Sequence, residues 1–432
     1  MTARDPGAAA AARGSRPFVT RVFGLRLFFI PSSRERLGSL LVVAGGALYL
    51  VRAIVQLASL KREIDNADFP VFLAAASDLG RGHDPYTSFL AHCPGYEWCY
   101  GGYIYPPLLA ELLRPLTRLD LVAADAVWTI ACHLMLVAAA FVTWRAIRGD
   151  LPRGGGRLLL AGSLFFLPLY QNLYAGSVGA PLLLILAISG ASYIAARDGL
   201  AGAALGLGAV FRVTPAAMGP LLLRTRADLR RPVGALAALA TGIGLMGLLA
   251  ILTPYTVEYV VKVLPRISAG TAFVSNVSLP GVLLRLQVAI LGARMPGAAL
   301  VGTGVALGFI GWTWWRSLGI TGRAGRAAAF AAILAVTALV SSVTWNYHLV
   351  NELLVLALIA PWLHHGRHAT TLALLSYPLL WIYSDGVLAF THFSLTGPGY
   401  LLVTSLNAMG MLLLWLACLD VLAGLRHGEA TA

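Results

Sequence analysis

The sequence predicts an all-α, polytopic membrane protein, and three observations predict it. Hydrophobic residues fill 58% of 432 positions and charged residues only 12%, too few to coat a soluble domain of that size. Apolar stretches recur along the whole chain, each close to the roughly 20 residues needed to cross a bilayer. Arginines gather in short segments between those stretches: the N-terminal stretch to Arg36, Arg145 to Arg157, Arg224 to Arg231, and Arg316 to Arg326. That is the positive-inside bias, which assigns these segments to the cytoplasm. It also accounts for the net charge of +13. No domain collects the charge on one folded surface, so nucleic acid is not an expected partner.

In chain order, residues 1–37 read as a cytoplasmic tail. Its apolar run, Val22 to Ile30, is broken by Arg26 and has no small-residue cleavage site behind it, which argues against a signal peptide and for an in-plane amphipathic piece. Ten spans are expected near 38–59, 121–146, 157–172, 178–195, 233–253, 296–316, 327–345, 346–363, 368–386 and 399–424. Ten crossings put both termini on the cytoplasmic side. Residues 199–223 are apolar but basic at both flanks, so a re-entrant hairpin or two half-helices around Pro215 is expected there. The short stretch 281–294, with Arg285 inside it, reads as a partial or interfacial helix, for about 10–12 membrane helices in all. Two outer loops stand out, 60–120 and 254–280, on a single membrane domain.

The first loop is polar and aromatic. It reads DFPVFLAAASDLGRGHDPY from Asp68 to Tyr86 and YIYPPLLAELLRPL from Tyr103 to Leu116. Phe72, Ala75, Ala76 and Leu79 share a face at helical spacing, behind Asp68 and Pro70. Asp68 has two compatible readings: the N-cap of that helix, or a general base at the membrane surface. Asp84-Pro85-Tyr86 forms a turn. Tyr103, Tyr105, Pro106 and Pro107 form a rigid aromatic corner where Tyr is at home. Glu63 and Asp65 either grip a divalent cation or form a solvated charge cluster. Cys93 and Cys99 lie where oxidising conditions would permit a disulfide, with two free thiols as the alternative. Cys132 and Cys418 fall in spans.

Ionisable residues at membrane depth are costly and therefore suspects for function. Arg212, in FRVTP at the hairpin tip, suits a phosphate, or else snorkels to the headgroups. His348 and Glu352 stand four residues apart, so they share a helix face near an outer membrane boundary, either as substrate contacts or as a structural pair inside the bundle. Trp345 and Tyr347 flank His348, a combination that could bind a sugar face and a phosphate. Asn276, in SNVS of the second outer loop, is a further polar candidate and a formal glycosylation acceptor. No Gly-rich phosphate loop, HExxH zinc site or nucleophile elbow is present, so ATP-driven transport and metalloprotease chemistry have no positive support.

The two first-loop stretches resemble the signature of glycosyltransferase family 87. Three further blocks resemble it in the same order: GAVFRVTPAAMGPLLL (Gly208 to Leu223), FVSNVSLPGVLLRL (Phe273 to Leu286) and SSVTWNYHLV (Ser341 to Val350). The resemblance covers roughly residues 60 to 350. It implies a GT-C-type fold with the catalytic residue in the first outer loop. It also implies inverting transfer, without metal or other cofactor, from a polyprenyl-phosphate sugar to a glycolipid or lipoglycan on the outer face of the plasma membrane. Mannose is the expected sugar, with phosphatidylinositol mannosides among the acceptors, and arabinofuranose is the next. By the same resemblance Asp68 matches the presumed base and His348 the histidine of a W-x-x-H block. Arg212 stands where the family has Lys, and Val277 where Gln is common. NLYAGSVG (Asn172 to Gly179) replaces a usual G-Q-x-N.

The expected site therefore has Asp68 as base. His348, Arg212, Asn276, Trp345, Tyr105, Asp84, Tyr86 and Glu352 are the candidate substrate contacts. A translocase of lipid-linked sugars is the competing class. Transporters favour midplane sites and inverted repeats, whereas this chain has a large surface loop and no evident repeat.

Overall fold

The computed structural model describes residues 31–60, 68–92, 102–295, 297–382 and 398–431. Glu63, Asp65, Cys93, Cys99 and the Val22–Ile30 run lie outside the described residues. The described chain is all-α. Its single non-helical pairing is an isolated antiparallel bridge between Asn276 and Trp345.

The helices are α1 (Pro31–Ser59), α2 (Asp68–Gly80), α3 (Thr87–His92), α4 (Pro107–Leu113), α5 (Leu121–Ile147), α6 (Gly155–Phe165), α7 (Leu167–Ala175), α8 (Gly179–Ile194) and α9 (Asp198–Phe211). A 3-10 segment, Thr214–Leu223, leads to α10 (Arg226–Arg230) and α11 (Val233–Leu252). Then come α12 (Tyr255–Glu258), a π turn over Tyr259–Val263, α13 (Leu264–Ser268), α14 (Leu279–Leu291), α15 (Ala298–Ser317) and α16 (Gly322–Val340). The 3-10 turn Asn346–Asn351 precedes α17 (Glu352–Ile359), with α18 (Ala369–Trp381) and α19 (Pro398–Thr431) last.

Among the described residues, seven helices are long and apolar enough to cross a membrane, or eight if α6 and α7, bent by 48° at Phe166, count as one span. The expected spans at 178–195 and 368–386 are instead 16 and 13 residues long in their described parts. At 1.5 Å per residue they reach only about 24 and 20 Å. Residues 199–223 are two half-length pieces, α9 and the 3-10 segment, that pack on one another with Arg212 and Val213 between them.

Helix α16 is the centre, with 78% of its apolar window buried, against 6% for α1, α11 and α15 at the lipid-facing periphery. Its run of small residues, Ala327 to Ala329 and Ala331, Ala332 and Ala335, is buried. Small side chains let helix backbones approach where the hydrophobic effect cannot drive them together. The same logic acts where α9 crosses α11: a Cβ on Gly202 would sit 1.9 Å from the Gly234 carbonyl.

The arginine-rich segments meet at one end of the bundle. Arg323 pairs with Asp150 at 2.7 Å and Arg326 with Asp198 at 2.6 Å. Buried Arg224 donates to the Ser317 carbonyl at 2.6 Å. Elsewhere the two long loops are tied to each other: Tyr255 donates to the Gly82 carbonyl at 2.6 Å and Arg266 to that of Leu90 at 2.9 Å. Arg285, on α14, donates to the carbonyls of Phe273, Asn276 and Thr404, binding the second loop to α19.

Candidate active site

Helix α2 buries the face that its spacing predicts: Phe69, Phe72, Ala75, Ala76 and Leu79. Phe69 stacks on Trp128 of α5 at 5.8 Å, and Phe72 meets Tyr105 edge-on at 5.3 Å. The start of α2 lies against the end of α7, where Gly176 adopts φ +60°. A Cβ there would come 2.9 Å from that of Phe69. Glycine is thus required twice over, by conformation and by space. This contact brings Asp68 down onto α7 and the 3-10 turn Asn346–Asn351.

Asp68 is half-buried, with its Oδ2 shut off from solvent. Its Oδ1 accepts the Tyr347 hydroxyl at 3.2 Å, while Oδ2 has no hydrogen-bond partner among the described residues. Neither oxygen takes an amide of α2, so the N-cap reading is corrected. A contact to a residue 279 positions away holds the carboxylate instead. Burial raises its pKa to about 6, with Ser177, Tyr347 and Arg212 offsetting part of the rise. A carboxyl so poised is about nine-tenths ionised at pH 7 and yet more basic than an ordinary aspartate.

Arg212 leaves α9 in an extended conformation and turns its guanidinium inward rather than toward headgroups. Nη2 donates to His348 Nδ1 at 2.9 Å and to the Val343 carbonyl at 3.3 Å. The Trp345 amide donates to the same Nδ1 at 3.0 Å. Two donors on Nδ1 leave its lone pair accepting, so the ring's hydrogen is on Nε2. That Nε2 is buried without a partner among the described residues, as are Ser177 Oγ, Asn172 Oδ1 and both amide atoms of Asn346. Buried polar atoms are almost always satisfied. Such a concentration around one carboxylate marks a place built to meet polar groups from outside the chain.

Beside them opens a cavity of about 270 Å³. Tyr105, Arg212, Tyr259, Ser341, Trp345 and His348 contribute to its wall. Four of the expected site residues, Arg212, His348, Tyr105 and Trp345, thus share one cavity, with Asp68 joined to them through Tyr347.

The remaining four lie outside this wall. Asn276 is fully buried and its amide is saturated. It donates to the Thr271 and Ser342 carbonyls and accepts from the Thr344 amide and the Ser278 amide and hydroxyl. It fixes the second loop to residues 342–344 and offers a substrate, or a glycosylating enzyme, nothing. Asn276→Ala is therefore expected to lower stability by about 3 kcal/mol, the scale of several orphaned polar groups, while the KM of the folded enzyme stays unchanged. A raised KM at normal thermal stability would restore it as a substrate contact. Tyr86 is likewise fully buried, donating to the Tyr105 carbonyl at 2.9 Å. Asp84 forms the turn, accepting the Tyr86 amide at 2.8 Å. Glu352 does not pair with His348, and neither of its oxygens has a partner among the described residues. The chain is 3-10 over 346–351, and three residues per turn rotate positions 348 and 352 off a common face.

Ser177 and Asn172 were not singled out from the sequence, and Tyr347 was named only as a flank of His348. The WNYH block already contained Tyr347, and NLYAGSVG contained the other two. Asn172 Nδ2 donates to the Tyr347 carbonyl at 3.3 Å, so this segment does reach the site, by its own residues.

The family model of glycosyltransferase family 87 matches residues 103–343, more than half of the chain. The chain belongs to glycosyltransferase family 87. The matched span contains Tyr105 and Arg212 and stops short of Asp68, Trp345 and His348, which the fold brings to the same place. A search of curated proteins finds no match. A glycosyltransferase uses a sugar donor and an acceptor, and Asp68 is joined to this cavity's wall through Tyr347, whose hydroxyl it accepts and whose ring meets that of His348.

Proposed function

We propose that this glycosyltransferase moves a sugar from a polyprenyl-phosphate donor to a membrane glycolipid or lipoglycan, with inversion, on the extracytoplasmic face of the plasma membrane. The observation that carries the reading is the Asp68 carboxylate, with Oδ2 unengaged, joined through Tyr347 to the cavity wall that holds Arg212 and His348. An acceptor hydroxyl attacks the anomeric carbon, and Oδ2 takes its proton. The bond from that carbon to the phosphate oxygen breaks, and its electron pair leaves with the phosphate. Arg212 and the Nε2–H of His348 meet the developing charge from fixed positions. Trp345 and Tyr105 supply flat faces for the sugar or the first isoprene units. The residues suffice for this transfer by acid–base chemistry and electrostatics, so no cofactor enters the proposal.

Mannose is the sugar to test first and arabinofuranose the second. Purified enzyme in vesicles receives polyprenyl-phosphate mannose or its arabinofuranose counterpart, labelled in the sugar, with a glycolipid acceptor. Label appearing covalently on the acceptor is the expected result. Movement of donor across the bilayer without transfer would overturn the reading in favour of a translocase.

The Tyr347 hydroxyl gives a pH prediction. Its hydrogen bond favours the ionised carboxylate, so removing it raises the Asp68 pKa further. In the wild type the rate should rise with pH through about 6, as Asp68 ionises. In Tyr347→Phe that acid limb is expected at higher pH, with the rate recovering on the alkaline side. A limb in the same place, measured as log kcat against pH, would remove Tyr347 from any role in setting the base.

A further inference from the structure

One basic side chain at membrane depth has no part in the site above. Arg52 lies within the span Glu35–Ser59, one to two turns short of its C-terminal end, about 10 Å along the axis. Between Glu35 and Ser59 the helix has no carboxylate, α7 beside it has none, and Arg52 forms no ion pair with any described residue. The side chain is exposed on the lipid-facing surface. Its guanidinium does not stretch up the helix toward water. It lies over the Tyr170 ring of α7, 4.4 Å from the centroid, and Tyr49 packs against that ring at 6.2 Å. Stacking uses the face of a guanidinium and leaves its N–H edge free for two oxygens of one phosphate.

Helix α7 connects this point to the base. Tyr170, Leu173 and Ser177 recur at helical spacing, and Gln56, one turn beyond Arg52 on α1, donates to the Leu173 carbonyl at 2.7 Å. The end of α7, at Gly176 and Ser177, is where Asp68 rests. From Tyr170 to Ala175 is about 7.5 Å of rise, and Gly176 and Ser177 form the turn that caps the helix. A cation one to two turns of α7 from the base, open to lipid, matches a ligand with its hydroxyl outermost, its phosphate beneath and its chains in the bilayer.

We propose that Arg52, stacked on Tyr170, anchors the phosphate of a phosphodiester-linked glycolipid acceptor, so that the head group, one or two rings long, presents its hydroxyl to Asp68. The proposal rests on the transferase reading of Asp68. The donor's phosphate has its own partners in the Arg212 cation and the His348 Nε2–H, and Arg52 is not among the residues that form that cavity.

The test compares wild type, Arg52→Gln and Arg52→Lys with two acceptors: a phosphatidylinositol-linked glycolipid and a neutral alkyl glycoside carrying the same sugar. Arg52→Gln is expected to raise KM for the phospholipid acceptor at least about tenfold, the scale of a charge-assisted contact, and Arg52→Lys less. KM for the neutral acceptor and for the donor should not move. An equal loss on both acceptors would make Arg52 a structural residue, and no loss would make it a snorkelling one. A raised donor KM would assign it to the donor's phosphate. Each of these overturns the proposal. Native mass spectrometry of the detergent-solubilised full chain with phosphatidylinositol tests the contact without turnover. Weaker retention by Arg52→Gln supports it even if no acceptor is turned over, and equal retention overturns it. A wild type inactive on both acceptors would count against the transferase reading alone.

Discussion

Asp68→Asn is expected to lower glycosyl transfer by about 10²- to 10⁴-fold, the contribution of a positioned general base, while the protein folds normally. The two expectations have one cause. Burial penalises the charged carboxylate, which is why the pKa rises to about 6, so the native state gains nothing from the charge itself. A folded-state pKa above the unfolded value means that the ionised group is destabilising once pH exceeds the ordinary carboxylate range. An amide of the same shape removes that cost and can still accept the Tyr347 hydroxyl. Thermal stability at pH 7 should therefore equal or exceed wild type, and the difference should shrink as pH falls below about 6 and vanish only below the ordinary carboxylate range, where the carboxyl is protonated in the unfolded chain as well. Turnover of labelled donor and unfolding of the same sample decide it together. Near-normal turnover would remove Asp68 from the chemistry. Lost turnover with lost folding would return it to a structural role. Asp68→Glu distinguishes position from charge, because a carboxylate moved by one methylene loses alignment with the attacked carbon.

The class of the fold was legible because membrane solvent acts on every residue alike: a chain with 58% hydrophobic residues and arginines gathered mostly in short connections has few other solutions. The face of α2 was legible for a related reason, since burial of Phe69, Phe72 and Leu79 follows the helical period. Individual polar residues were not legible, because residue type does not say whether a side chain's hydrogen bonds are spent. Asn276 and Asn346 look alike as letters. One is saturated by five bonds inside the second loop and residues 342–344, and the other has none for either amide atom among the described residues. Asp68 looked like a cap because spacing sees only neighbours, whereas Tyr347 lies 279 positions away. Glu352 was paired with His348 on an α-helical count that fails where the turn is 3-10. The ordered blocks carried what spacing could not, placing Asp68, Arg212 and His348 in one reading before any distance linked them.

Arg212 and His348 are expected to behave as one unit. Arg212→Gln removes the only fixed charge known to face the cavity beside His348, and a loss of about 10²- to 10³-fold in kcat is expected, the scale of one preorganised donor or cation. The same substitution removes one of the two donors that hold His348 Nδ1 as an acceptor. The imidazole is then less firmly held in the tautomer that presents Nε2–H. His348→Ala should accordingly cost nearly as much as Arg212→Gln, and the double variant little more than either, so the coupling energy should approach one full single loss, about 3–4 kcal/mol. Arg212→Lys is the informative intermediate. It keeps the charge but replaces a planar fork by a point donor, which can serve His348 or the departing phosphate and less readily both. Its kcat should fall between wild type and Arg212→Gln. If the single losses instead add in full in the double variant, the two side chains act on different steps, and the 2.9 Å contact between them is structural rather than a shared clamp on the leaving phosphate.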